Sequence, residues 1–206
     1  MNENSRPGSV VHLRDRLRHE TRAAILAAAE QVFVDDGLER ARMESIAARA
    51  RVAVGTLYNY FEDREGLLVA LVEARREALL HRLDSALAAG KGLPFEEALT
   101  GLLRALFDHW STHHGLLAVL LQAEDSGLVA PGRGPLLDDV TRRVEKVLRR
   151  GRTQGKLRAD AAGLQAAAVV GMVRGVLRRS ASRRSGAREE DWAGQVLEIF
   201  LRGAGR

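Results

Sequence analysis

Cysteine is absent from the 206-residue chain, and that omission removes several kinds of chemistry. There can be no disulfide framework, no thiolate zinc site and no cysteine nucleophile. The lack of cysteine also fits a reducing, cytoplasmic setting. Aromatic residues are scarce at 4%, whereas 46% of the chain is apolar, with alanine and leucine dominant. That mixture favours helix over strand. Long apolar runs are missing too. The opening MNENSRPGSVVHLRDRLRHE has no apolar core of a signal peptide. The most apolar later stretch, residues 164–173, is too short to span a bilayer and is rich in Ala and Gly. A soluble, cytoplasmic protein without a membrane partner is expected.

A strong excess of one charge is lacking where it would be most telling. The net charge is +5, yet residues 1–67 carry 10 Arg and Lys against 11 Asp and Glu, a balance of −1, and the remainder carries +6. Basicity is local: Arg40, Arg42, Arg49 and Arg51 face one acid, Glu44, between residues 40 and 60, a balance of +3. Composition by itself does not indicate nucleic acid.

What is present is helical periodicity. Residues 1–18 hold Pro7, Gly8 and four arginines without a sustained period and read as a flexible basic arm. From Glu20 a period begins that puts Ile25, Ala28, Ala29, Val32 and Phe33 on one face, with Gly37 at the C-cap position. Short helices fit 43–50 and 54–61. Asp63 is placed to cap a long helix reaching about Leu87. AAGKGLP breaks the chain at 88–94, with Pro94 suited to start the next helix. Further helices fit 95–111, a segment beginning near His114, 136–152, 160–182 and 189–202. No segment alternates as a strand does. The expected fold is all-α with about nine helices: a helix-turn-helix domain at 19–66 and a larger helical domain at 67–206.

The stretch SIAARARVAVGTLYNYF, residues 45–61, carries the most information. A helix-turn-helix needs a small residue in its first helix, an apolar residue in the turn and an apolar anchor on the second helix. Ala47, Val52 and Leu57 stand there, five residues apart. Any helical hairpin could show such spacing, but the surrounding residues are more specific. IAARARVAVGTLYNYFEDREGLL resembles the DNA-binding region of the tetracycline-repressor (TetR) family of bacterial transcription regulators. The matching residues are Ile46, Ala47, Ala50, Val52, Gly55, Thr56, Leu57, Tyr58, Tyr60, Phe61 and Leu67. ILAAAEQVFVDDGLE resembles that family's first helix, and the strong likeness covers residues 20–68.

The resemblance implies that the second helix enters a major groove of double-stranded DNA. Gly55 would let helix and DNA approach closely, and Thr56, Tyr58 and Tyr60 would offer hydroxyls to phosphates. Asn59 could read an adenine edge and Val54 could meet a thymine methyl. Arg64 stands at the family's lysine and would clamp a phosphate. Plainer readings stand beside these: Tyr60 as core, Val54 as filler and Asn59 as a solvated side chain. Three residues depart from the pattern. Arg51 replaces a turn glycine, so it either adopts an unusual backbone or changes the turn. Ala53 replaces a capping serine, and Arg42 stands where Ser or Thr commonly opens the helix. Arg42 and Arg51 are candidates to restore phosphate contacts through charge. The basic arm is either disordered or inserted in an adjacent minor groove.

One short recognition helix makes too little contact for useful affinity, so a homodimer on a palindromic operator is expected. Leu164, Ala168, Gly171 and Gly175 form a small-residue stripe, and Trp192, Val196, Ile199 and Phe200 give the last helix a bulky face. The resemblance implies that these two helices form a four-helix bundle with a partner copy; ordinary internal packing is the alternative. It also implies a small-molecule effector pocket in the middle helices, with Leu103, Phe107, Trp110, Leu117, Leu121 and Met172 as candidates for its lining or for plain core. Repression relieved by the effector is the expected regulation. Enzyme chemistry has weak support: Asp108, His109, His113 and His114 cluster, but no third metal ligand is firmly placed. GRTQGKL at 151–157 is one residue short of a phosphate loop and lacks Ser or Thr after Lys156. No cofactor, metal or catalytic activity is expected. A helical domain binding only other proteins is the remaining alternative.

Overall fold

A computed structural model describes residues 7–113, 136–159, 163–181 and 191–204. The described residues form an all-helical protein of eight helices: α1 (Pro7–Asp36), α2 (Met43–Ala50), α3 (Val54–Tyr58), α4 (Arg64–Ala89), α5 (Phe95–Thr112), α6 (Leu136–Thr153), α7 (Leu164–Ala181) and α8 (Trp192–Ala204). The helix expected near His114 lies outside the described residues. No helix among them is long and apolar enough to cross a membrane.

The chain divides into two compact units, Met1–Glu73 and Ala74–Arg206. The division falls within α4, several residues beyond the boundary expected after residue 66. In the first unit α1 packs on α2 and α2 on α3. Its core gathers Ile25, Ala29, Val32 and Phe33 from α1, Ile46 and Ala47 from α2, and Leu57, Phe61, Leu67 and Leu71 from the segments that follow. Gly37 ends α1 with a positive φ of 80°, its N–H donating to the Phe33 carbonyl. Asp63 caps α4: its Oδ1 accepts the Gly66 N–H at 2.7 Å.

In the second unit α5 packs on α6 and α8, α6 on α7, and α7 on α8. Phe95, Leu99, Leu102, Leu103 and Leu106 fill the centre with Val144, Leu148 and Val169. Gly151 of α6 is required here, because a Cβ on it would stand 2.7 Å from the Phe95 ring. GRTQGKL is a helix stop. The Lys156 N–H donates to the Gly151 carbonyl at 2.9 Å and the Gly155 N–H to Arg152 at 3.0 Å, with Gly155 at φ 71°. That pair of bonds is a Schellman motif.

One boundary differs clearly from expectation. Helix α1 begins at Pro7 rather than Glu20, so residues 7–18 are helical. Proline suits the first turn of a helix, and the Leu, Arg and Glu that follow are good helix formers. Residues 12–20 are exposed and face no core, so no apolar period marks them.

Candidate nucleic-acid interface

Helix α2 and the turn after it set the position of α3. The Val52 N–H donates to the Ala47 carbonyl at 3.0 Å and the Arg51 N–H to Ala48 at 3.2 Å. These bonds form a second Schellman motif, and Arg51 occupies its left-handed position at φ 57°, ψ 40°. The turn is therefore kept and the backbone strain accepted, which decides between the two possibilities the sequence left open. Neither short helix has a side-chain N-cap, since Arg42 and Ala53 occupy those positions without capping hydrogen bonds.

Helix α3 is a turn and a half, ending at Tyr58 with Asn59 as its C-cap. Tyr60 and Phe61 follow in a tight turn, both N–H groups donating to the Leu57 carbonyl at 3.0 Å. This is shorter than the expected 54–61, because the bonds tighten to the i−3 type at the end. Leu57 is completely buried, whereas Val54 is 38% and Tyr58 47% exposed. Gly55 and Asn59 are exposed, and Thr56 and Tyr60 are half-buried. A Cβ on Gly55 would meet nothing within 4 Å. Packing among the described residues thus gives no reason for glycine at an exposed helical position where it costs about 0.5–1 kcal/mol relative to alanine.

The arginines divide into two groups. Arg49 pairs with Asp35 at 2.5 Å, and Arg40 Nε donates to the Asp36 carbonyl at 3.0 Å. Arg64, half-buried, donates to the Leu38 carbonyl and so ties the start of α4 to the loop after α1. Arg42 and Arg51 are exposed, with no acid paired to them among the described residues. Arg22 of α1 was missed by the sequence reading: its guanidinium lies 5.5 Å from the centre of the Phe61 ring.

The second unit arranges the other candidates. Leu103, Phe107 and Trp110 are buried in its core, and Met172 packs against that core. The Phe107 and Trp192 rings meet edge to face at 5.6 Å. Leu117 and Leu121 lie outside the described residues. The dimer candidates separate. Leu164, Ala168, Gly171 and Gly175 are exposed together on α7, Leu164 at 69%. Val196 and Phe200 are instead buried in the chain's own core and are corrected to core residues. Trp192 is half-buried, and the exposed bulky residue on α8 is Ile199 at 63%. The His109 and His113 rings are 5.0 Å apart, and no group of three or more His, Asp or Glu suited to a metal ion occurs among the described residues.

A part-buried charge cluster also escaped the sequence reading. Arg76 of α4 pairs with Asp139 of α6, which also receives Arg142. Burial acts to raise the pKa of Asp139, but the hydrogen bond and charge of Arg76, joined by Arg142, outweigh it and hold the carboxyl below its ordinary value. Arg143 grips Asp84 through two hydrogen bonds of 2.7 and 2.9 Å and lowers that carboxyl as well. Pairs so far apart in sequence have no local signature.

Residues 25–71 match the family model of bacterial regulatory proteins of the tetR family. The chain is 26% identical over 182 residues to the HTH-type transcriptional regulator SrpR of Pseudomonas putida, covering 88% of this chain and 82% of that one. It is 32% identical over 108 residues to the transcriptional repressor NemR of Escherichia coli K12, covering 52% of this chain and 54% of that one. A TetR-like transcriptional regulator from Rhodococcus sp. RHA1 shares the fold with a TM-score of 0.69 at 26% identity, over 88% of this chain and 93% of that one. Residues 25–71 thus match a TetR-type DNA-binding domain, and the chain as a whole resembles TetR-family transcriptional regulators in sequence and fold.

Proposed function

We propose that this regulator binds a palindromic operator as a homodimer and acts as a repressor that a small-molecule effector releases. The observation that carries the DNA reading is the outer face of α3. It combines a glycine that internal packing does not need with exposed Val54, Tyr58 and Asn59, all braced by a buried Leu57. Thr56, Tyr58 and Tyr60 then hold phosphates, Val54 and Asn59 face base edges, and the exposed Arg42 and Arg51 add charge. Arg64 serves chiefly to fix the frame through Leu38, with its remaining donors available to a phosphate.

The uncovered stripe of Leu164, Ala168, Gly171 and Gly175, with Ile199 nearby in sequence order on the last helix, supports pairing with a second copy. The effector reading rests on the family and on the aromatic-rich packing around Phe107, Trp110 and Trp192. An effector acts only through unequal affinity for two states, so it must bind the released form more tightly.

Selection of host genomic fragments by the purified protein tests the proposal, followed by Gly55→Ala on the selected site. The expected variant is at least as stable as the parent and binds at least about tenfold more weakly, a loss of roughly 1.4 kcal/mol. Unchanged binding would remove α3 from the interface.

A further inference from the structure

We infer that the first turns of α1 form a phosphate clamp on duplex DNA flanking the recognition site, with Arg14 and Arg18 as its contacts. This rests on the DNA-binding reading above and extends it to a segment outside the family match at 25–71.

Helical phase is the main reason. In α1 the buried face is marked by Ile25, Ala29 and Val32. Arg18 and Arg14 stand seven and eleven residues before Ile25, spacings that return a helix to within about 20° of the same face. The stripe that is apolar where α1 enters the core therefore continues as arginine where α1 runs clear of it. Arg22 begins this continuation, and its guanidinium over Phe61 locates it: the stripe starts beside the turn that ends α3. Arg18 and Arg14 then lie about 6 and 12 Å further along the axis, at 1.5 Å per residue.

The two side chains are exposed, and neither is paired with an acid among the described residues. Asp15 stands at the edge of the stripe and Glu20 on the other side of the helix, so the outward charge along the stripe is positive. Leu13 and Leu17, at 56% and 52% exposed, lie together on one side of it. A row of guanidinium groups that begins at Arg22, beside the Phe61 ring that follows α3, complements a phosphate backbone. It reads no bases, so it adds affinity without adding sequence preference.

The test compares the full-length protein with Arg14→Ala/Arg18→Ala on two duplexes, the selected operator with natural flanks and the same operator trimmed to its recognition core. Arg22 is left intact because it braces Phe61. On the flanked duplex the variant should lose about tenfold or more in affinity at roughly 150 mM salt, and its log K against log salt slope should be shallower by about 2 per bound protomer. On the trimmed duplex variant and parent should agree. Arg14→Lys/Arg18→Lys, which keeps the charge, should retain most of the slope, and equal thermal melting of all three proteins excludes misfolding. Equal affinity and slope of the parent and the alanine variant on the flanked duplex overturn the clamp while leaving the operator reading intact. A parent that selects no DNA overturns both.

Discussion

Arg51 holds a left-handed backbone that a side chain disfavours by roughly 1 kcal/mol, in a turn whose hydrogen bonds match those that Gly155 completes at the end of α6. Arg51→Gly should therefore raise stability by about 0.5–1 kcal/mol, read as a higher urea midpoint with an unchanged slope. A lower midpoint would mean that the arginine side chain contributes packing that its exposure does not suggest. Gly151 presents the opposite case. A methyl there meets the Phe95 ring, so Gly151→Ala should cost about 1–3 kcal/mol in the same measurement. The two positions also differ in legibility. The mismatch at Arg51 stood out against a known pattern, whereas nothing near Gly151 in the sequence announces Phe95, fifty-six residues earlier.

Helix bounds for α2, α4, α5 and α6 follow closely from apolar period, caps and breakers, because each of these helices has a core to face. The start of α1 did not, for the complementary reason. Ties between helices were equally hidden, and the Arg76–Asp139 pair joining α4 to α6 is the chief example. Its carboxyl is held below the ordinary value in the folded chain. The stabilisation is therefore complete above the unfolded carboxylate pKa of about 3.9 and is lost as pH falls through the folded value. Asp139→Asn should cost about 2 kcal/mol at neutral pH, with the gap to the parent closing as the solution is acidified below about pH 4. Urea unfolding of both proteins across that range checks it, and a gap independent of pH would assign the loss to packing.

At the scale of the whole molecule, the division of labour was readable from sequence: a short helix-turn-helix followed by a larger helical unit. The side chains proposed to meet a second copy divide between surface and core. Periodicity groups the apolar residues of α8 but cannot say which the chain keeps for itself, and Val196 and Phe200 are kept. The stripe on α7 is exposed among the described residues. If that stripe joins two copies, Gly171→Arg should convert the dimer to monomer in sedimentation at micromolar concentration and weaken operator binding, while leaving the thermal unfolding of each chain cooperative. A Gly171→Arg protein that sediments as a dimer would direct attention to another face.

The arginines of α1 and the residues that anchor it belong to one screw, and a screw has a phase. One alanine inserted between Arg18 and His19 would turn Arg14 and Arg18 by about 100° and move them only about 1.5 Å, with the charge unchanged. Seven inserted residues would bring them back to within about 20° of their bearing, roughly 10 Å further out. Binding to a long duplex should then vary with the angle of the insertion and not with its length. Such an alternation would distinguish a helix that grips at a fixed angle from a basic tail that attracts DNA from any direction.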